Sequence, residues 1–271
     1  MKQLHLLKLQ KDEIGMCAIF KSDNDLIVID GGHAWETDNV VETIKNLGGK
    51  VSAWYLTHAH IDHIATLCEI LENRSSEIEI EKIYYNFPSA ELLNKYEPGE
   101  KAETDRLIPI LKEIPVKLGI KTITPHTGDL YEYDGFSVRI LREPDINLTP
   151  DYINNSSLVF RIEVDGKRIL FLGDMGIEGG EEMLSNIPKE ELKSDYVQMA
   201  HHGQDGIEKD VYEAIDPDYC IWYTPTWLWD NIGENGYDTR HFKTVIVRGW
   251  MSELGIKKHY IARDFPQVVE F

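Results

Sequence analysis

The chain is poor in cysteine and in positive charge, and it lacks an apolar N-terminal run. Its cysteines, Cys17, Cys68 and Cys220, are odd in number, far apart and each set in an apolar stretch. None has CxxC spacing, which excludes a zinc knuckle or a dithiol redox pair, and they read as reduced core residues of a cytoplasmic protein. A chain of 271 residues buries about three quarters of its surface on folding and needs no disulfide staples. Residues 1–9 are too short and too interrupted by charge for a signal peptide or a membrane span, so no membrane partner is expected. Lys and Arg number 28 against 47 Asp and Glu, a formal net charge of -19. That balance, with no Lys/Arg stripe interleaved with aromatics, disfavours nucleic acid as a partner, because each phosphate contact draws on a cationic side chain. A small anionic substrate or a nucleotide-like phosphodiester fits better, with Arg240, His241 and Lys243 as local positive charge.

Histidine is also scarce, at 10 residues, yet three stand together in Thr57-His58-Ala59-His60-Ile61-Asp62-His63-Ile64. Trp54-Tyr55-Leu56 before them reads as the end of a buried strand. Ile64, Leu67, Cys68 and Leu71 after them follow helical spacing. The expected strand-to-helix loop turns His58, His60, Asp62 and His63 toward one point, and imidazole with carboxylate is the ligand mixture of Zn²⁺ and similar divalent ions.

Other polar groups stand just past apolar runs in the same way. Residues 3–10, 15–20 and 25–30 predict an antiparallel meander ending in Asp30-Gly31-Gly32, which is either a turn or a placement of Asp30 or His33 near a site. Residues 88–118 predict a helical insert, broken at Pro98-Gly99, that covers the site or acts as its lid. The strand through Arg168–Leu172 runs into Gly173-Asp174, where an ionised Asp flanked by glycines calls for a metal partner. The strand 195–200 ends in His201-His202-Gly203, and 257–261 reads as the final strand. No linker, repeat or low-complexity tract appears, so residues 1–271 read as one domain.

Taken together, His58-x-His60-x-Asp62-His63, Gly173-Asp174 and His201-His202-Gly203 resemble the metallo-β-lactamase superfamily over nearly the whole chain. Asn154-Asn155-Ser156-Ser157-Leu158-Val159, Ala200-His201-His202-Gly203 and Asn235-Gly236-Tyr237 with His241 are similar to the ComEC-type metallohydrolase domain within it. The resemblance implies an α/β fold, a four-layer αββα sandwich with its site at one edge, and Zn²⁺ or Mn²⁺ as one or two divalent ions. It implies a first metal on His58, His60 and a later His, but here Asn154-Asn155-Ser156 occupies that later place. Asp174 as a bridge, with Asn155 or water as substitute ligand, then completes the first site. Asp62, His63, Asp174 and one of His201 or His202 form the second and tighter one. Adjacent strand residues face opposite ways, so one of that His pair is expected to be the ligand and the other a donor behind it.

The implied activity is metal-dependent hydrolysis, foremost of a phosphodiester. A metal-activated hydroxide would be oriented by Asp62, and His241 would donate a hydrogen bond or proton to the phosphate. The alternatives are hydrolysis of a carboxylic ester, lactone or thioester, and a catalytically degenerate binding or regulatory module.

Overall fold

Leu26-Ile27-Val28-Ile29-Asp30 forms a strand buried at every position, the near-continuous apolar pattern of a strand covered on both faces. Ile27 and Ile29 point into the layer between two sheets, and Leu26 and Val28 point outward to helices, as the period-two alternation of a strand requires. The computed structural model describes residues 1–271, and this strand lies at the centre of one of two seven-stranded sheets.

The first sheet runs in the order Gln267–Glu270, Gln3–Leu6, Cys17–Lys21, Leu26–Asp30, Ala53–Tyr55, Lys82–Tyr84, Lys121–Ile123. It is antiparallel as far as Leu26–Asp30 and parallel beyond. The second runs Lys258–Ile261, Tyr219–Trp222, Tyr196–Gln198, Lys167–Phe171, Val159–Val164, Phe136–Arg142, Leu130–Tyr133. Its first four strands are parallel and the rest antiparallel. Clusters of 25 buried apolar residues between the sheets and of 23 and 19 on their outer faces show that both sheets are covered on both sides. The architecture is a four-layer αββα sandwich. No helix is long and apolar enough to cross a membrane.

Three elements depart from the sequence reading. The helix after the histidine motif starts at Ile61 rather than Ile64 and runs to Asn73, so Asp62 and His63 sit in its first turn. There the carboxylate is favoured by the helix dipole. The strand expected to end at Trp54-Tyr55-Leu56 is interrupted at Ser52: Lys50–Val51 pairs with Glu79–Ile80, and Ala53–Tyr55 pairs with Leu26–Asp30. The chain also ends one strand later than expected, because Gln267–Glu270 returns to pair with Gln3–Leu6. With four residues it is too short to stand out by alternation.

The helical insert comprises Ala90–Tyr96 and Lys101–Leu118. Leu107, Ile110 and Leu111 pack onto the helix Ile61–Asn73 side of the core. Leu93 and Ile108 form a small cluster with Ala59, Tyr152 and Ile153, so the insert buttresses the loop between His58 and His60.

Candidate metal centre

Every strand that contributes to the centre delivers its polar residue just past its last hydrogen-bonded position, at one edge of the sandwich. Ala53–Tyr55 leads to His58, His60, Asp62 and His63, Lys167–Phe171 leads to Asp174, and Tyr196–Gln198 leads to His202. Two ligand sets result, each with its donor atoms within 4.8 Å of one another: Asp62, His63, Asp174 and His202, and His58, His60 and Asp174. Asp174 is common to both. His202 Nε2 lies 3.1 Å from Asp62 Oδ2 and 3.1 Å from Asp174 Oδ2, while His63 Nε2 lies 3.3 Å from Asp174 Oδ1.

Hydrogen bonds behind the rings decide which nitrogens are free. His63 Nδ1 donates to Asp30 Oδ2 at 2.7 Å and His202 Nδ1 donates to the Tyr223 carbonyl at 3.1 Å, so each neutral ring presents a bare Nε2 to the centre. Those two nitrogens are 3.4 Å apart. Thr57 Oγ1 donates to Asp30 and so accepts from His58 Nδ1 at 3.0 Å, which leaves His58 Nε2 bare, 3.0 Å from His60 Nδ1. Asp174 Oδ1 is buried and receives no hydrogen bond. With His63 and His202 neutral, lone pairs of imidazole and carboxylate thus converge on the centre. That chemistry fits divalent cations.

The electrostatics agree. Burial holds His58 well below the ordinary imidazole value, with His63 adding to the effect, and it lowers His60 too. Burial would also push His63 and His202 down, but Asp174 and Asp62 overcome it and carry His63 well above the ordinary value and His202 to about 9. Burial opposes ionisation of Asp174, yet His202, His63 and His58 hold it well below the usual carboxylate range. Without metal, protons take the cation's place at His63 and His202. Metal binding near pH 7.5 should therefore release about one to two protons, and affinity should weaken as pH falls, by about 10-fold per pH unit for each proton displaced. Calorimetric titration with Zn²⁺ in buffers of different ionisation enthalpy measures this, and buffer-independent heats would refute it.

Three expected residues lie elsewhere. His201 belongs to neither ligand set. It and His202 are not successive strand residues but adopt left-handed backbone, φ 50 and φ 55, so opposite-face alternation does not apply, and the kink sends His202 inward. His201 keeps a buried Nδ1 without a partner. Asn155 does not replace the missing third ligand, because its Oδ1 accepts from the N–H groups of Gly176 and Gly179, both at 3.0 Å. It caps the helix Ile177–Asn186 beside Asp174. His241 is exposed, lies with its ring tilted 41° and 4.0 Å from that of Phe242 and makes no hydrogen bond or ion pair with the centre. Arg240 lies over Trp227, and Lys243 pairs with Glu208 at 2.6 Å.

Other residues hold the ligands in place. Asp30, fully buried, binds Thr57 N at 2.8 Å, Thr57 Oγ1 at 2.7 Å and His63 Nδ1. Its signal in the sequence was a carboxylate ending an otherwise apolar strand. Gln198 accepts from Leu172 N and donates to the Gly173 carbonyl, and Ser157 Oγ accepts from Asp174 N. Nothing in the local sequence distinguishes Gln198 or Ser157 from surface polar residues.

Comparison with known proteins gives one family and many structures. A family model described as the metallo-beta-lactamase superfamily matches residues 11–219. No curated protein sequence matches the chain. Among solved structures, the metallo-beta-lactamase fold protein YhfI from Bacillus subtilis aligns at 12% identity over 100% of both chains with a TM-score of 0.58. Unliganded yeast PDE1 aligns at 13% identity over 100% of both chains with a TM-score of 0.57. A diphosphatase of the PhnP family aligns at 13% identity over 100% of this chain and 98% of its own, with a TM-score of 0.53.

Proposed function

Because the chain belongs to the metallo-β-lactamase superfamily, we propose that it is a metal-dependent hydrolase of a small phosphodiester, working at a binuclear centre. The observation that carries this reading is Asp174, one carboxylate common to two adjoining ligand sets. When bound, a divalent pair supplies Lewis acidity, acidifying a coordinated water and neutralising charge on the ester oxygens. The side chains divide the remaining work. Asp62, ionised and facing His202, accepts the hydrogen bond that orients the attacking water. Asp30 locks the His63 ring in one tautomer, and burial keeps His58 and His60 neutral, as ligands must be. Tyr152, Leu93 and Ala59 pack together behind the loop that carries His58 and His60.

The charge around the centre supports a substrate with a single negative charge. The groups acting most strongly on the clustered histidines and aspartates are one another, with no Lys or Arg among them. Glu100 is close enough to feel Asp62. A diester carries one charge where a monoester carries two, and long nucleic acid carries many. The diphosphatase and PDE1 on this fold are consistent with phosphate chemistry. The Asn154-Asn155-Ser156 stretch at the third-ligand place, followed by Ala200-His201-His202-Gly203, supports a place beside the ComEC-type domains.

Chromogenic substrates test the reading. Mn²⁺- or Zn²⁺-loaded protein should hydrolyse bis(p-nitrophenyl) phosphate in preference to p-nitrophenyl phosphate, p-nitrophenyl acetate, a lactone and single-stranded DNA. His60→Ala should lose that activity with the fold retained. His241→Ala should change kcat/KM by less than about 3-fold, as surface substitutions away from the reacting groups do. Preferred turnover of the acetate or lactone would move the assignment to carboxylic esters. Metal-free protein after reconstitution, or full activity in His60→Ala, would refute the centre itself.

A further inference from the structure

Outside the metal centre, one cavity stands out by what its walls lack. It has a volume of about 360 Å³ and is lined by Trp229, Tyr237, Val245, Arg248, Gly249 and His259, between the helix Thr244–Glu253, the outermost strand Lys258–Ile261 and the loop after Trp229. In a chain with 47 acidic residues, no carboxylate lines it. Its size falls in the range of about 300–1,000 Å³ typical of small-ligand sites.

The polar groups in the wall are all donors, and two of them are fixed as such. Trp222 Nε1, a donor only, bonds His259 Nδ1 at 3.0 Å. His259 Nδ1 must therefore accept, and the neutral ring carries its proton on Nε2. Burial lowers His259 and the charge of Arg248, which lines the same cavity, lowers it further, and this keeps the ring in that neutral, donating form. The Arg248 guanidinium carbon lies over the Trp229 ring, 4.3 Å from its centroid, and its Nη1 donates to the Trp229 carbonyl at 2.9 Å. Asp230 Oδ1 lies 3.7 Å from that same Nη1, while Nε and Nη2 have no partner. Tyr237, 58% exposed, adds a hydroxyl and an uncommitted aromatic face. A Cβ on Gly249 would meet nothing within 4 Å, so the cavity floor is open.

A planar guanidinium with free edge donors, a second fixed N–H and an open aromatic ring match an oxyanion joined to an aromatic group. We propose that this cavity binds a small aromatic phosphate monoester, with the phosphate on Arg248 and His259 and the aromatic ring against Tyr237. The site is separate from the metal centre and stands whether or not the hydrolase reading holds.

Calorimetry on the full-length, metal-free protein in chelator tests it, with adenosine 5′-monophosphate as probe and adenosine and inorganic phosphate as controls. Removing the metals removes the competing phosphate site. The monophosphate should bind saturably with one equivalent, at least about 10-fold tighter than either control. Arg248→Met should weaken it by about 10- to 100-fold, the value of charge-assisted hydrogen bonds. Gly249→Phe, which fills the floor on the solvent side of a helix, should abolish binding while circular dichroism and hydrolysis of the chromogenic diester by the metal-loaded protein stay unchanged. Absence of saturable binding, or equal affinity in both variants, would overturn the site. Inorganic phosphate binding as tightly as the monophosphate would overturn the aromatic half of the assignment.

Discussion

Asp174→Ala should lower bound metal from two equivalents per chain to less than one and slow diester hydrolysis by at least about 10³-fold. Changing a residue one layer behind a metal ligand typically costs about 10- to 100-fold in affinity or activity. Asp174 stands in front of that layer and belongs to both ligand sets, so its loss removes a donor from each position simultaneously. His60 belongs to one set only, so His60→Ala should retain about one equivalent. The difference in stoichiometry between the two variants is the informative readout. Metal-free stability should fall as well: His202 and His63 hold Asp174 ionised in the fold, and removing one partner of a buried charge pair leaves the other uncompensated. The metal-free variant should therefore melt below the metal-free parent. Elemental analysis and thermal denaturation measure both quantities, and two retained equivalents in Asp174→Ala would exclude a shared bridging carboxylate.

Gly173→Ala should produce the largest loss of stability near the centre. Gly173 has φ +57, and a Cβ there would lie 2.7 Å from Ser157 Oγ and 2.9 Å from Thr57 Cβ. A left-handed backbone costs a side-chain-bearing residue about 1–2 kcal/mol, and forcing an extra carbon into a packed site adds about 1–3 kcal/mol. Neither neighbour can yield cheaply. Ser157 Oγ accepts from Asp174 N, and Thr57 is bound at both its N and its Oγ1 by Asp30. The sum, about 2–5 kcal/mol, corresponds to a drop in melting temperature on the order of 10 °C for a chain of this size. Relaxation would displace Ser157 or Thr57, so metal affinity should fall as well. A melting temperature within about 2 °C of the parent would show that the loop before Asp174 is not held as tightly as these distances indicate.

The sequence was most informative where chemistry and geometry are local. His58, His60, Asp62 and His63 lie within six residues, between a strand pattern and a helix pattern, so their convergence followed from spacing alone. Asp174 was legible because an ionisable group ending an apolar strand needs a partner. Less legible was anything decided by contacts distant in the chain. The choice between His201 and His202 depends on two consecutive left-handed residues; Gly203 marks a turn after them but does not say that the histidines themselves leave the strand conformation. Asn155 was read as a ligand substitute because of its position, whereas its partners, Gly176 and Gly179, lie more than twenty residues away. Asp30 was left between a turn and a site because its three partners come from Thr57 and His63. The pairing of Gln267–Glu270 with Gln3–Leu6 spans nearly the full chain, beyond the reach of any window of periodicity.

The centre draws four of its ligands from the edge of one sheet and two, Asp174 and His202, from the edge of the other. Between the sheets lies mainly apolar packing, crossed by a few hydrogen bonds such as Tyr55 to Tyr133 and Tyr223 Oη to the Cys17 carbonyl; the packing resists separation of the layers but has little directional preference against sliding. A bound ion would add a strongly directional contact at the edge. A metal held there would act as a clasp between two slabs, and a shear of even an ångström would part nitrogen from carboxylate donors. Amide exchange should reflect this: chelation should loosen the segments around Thr57–His63 and Gly173–His202 together, although more than a hundred residues separate them in the chain.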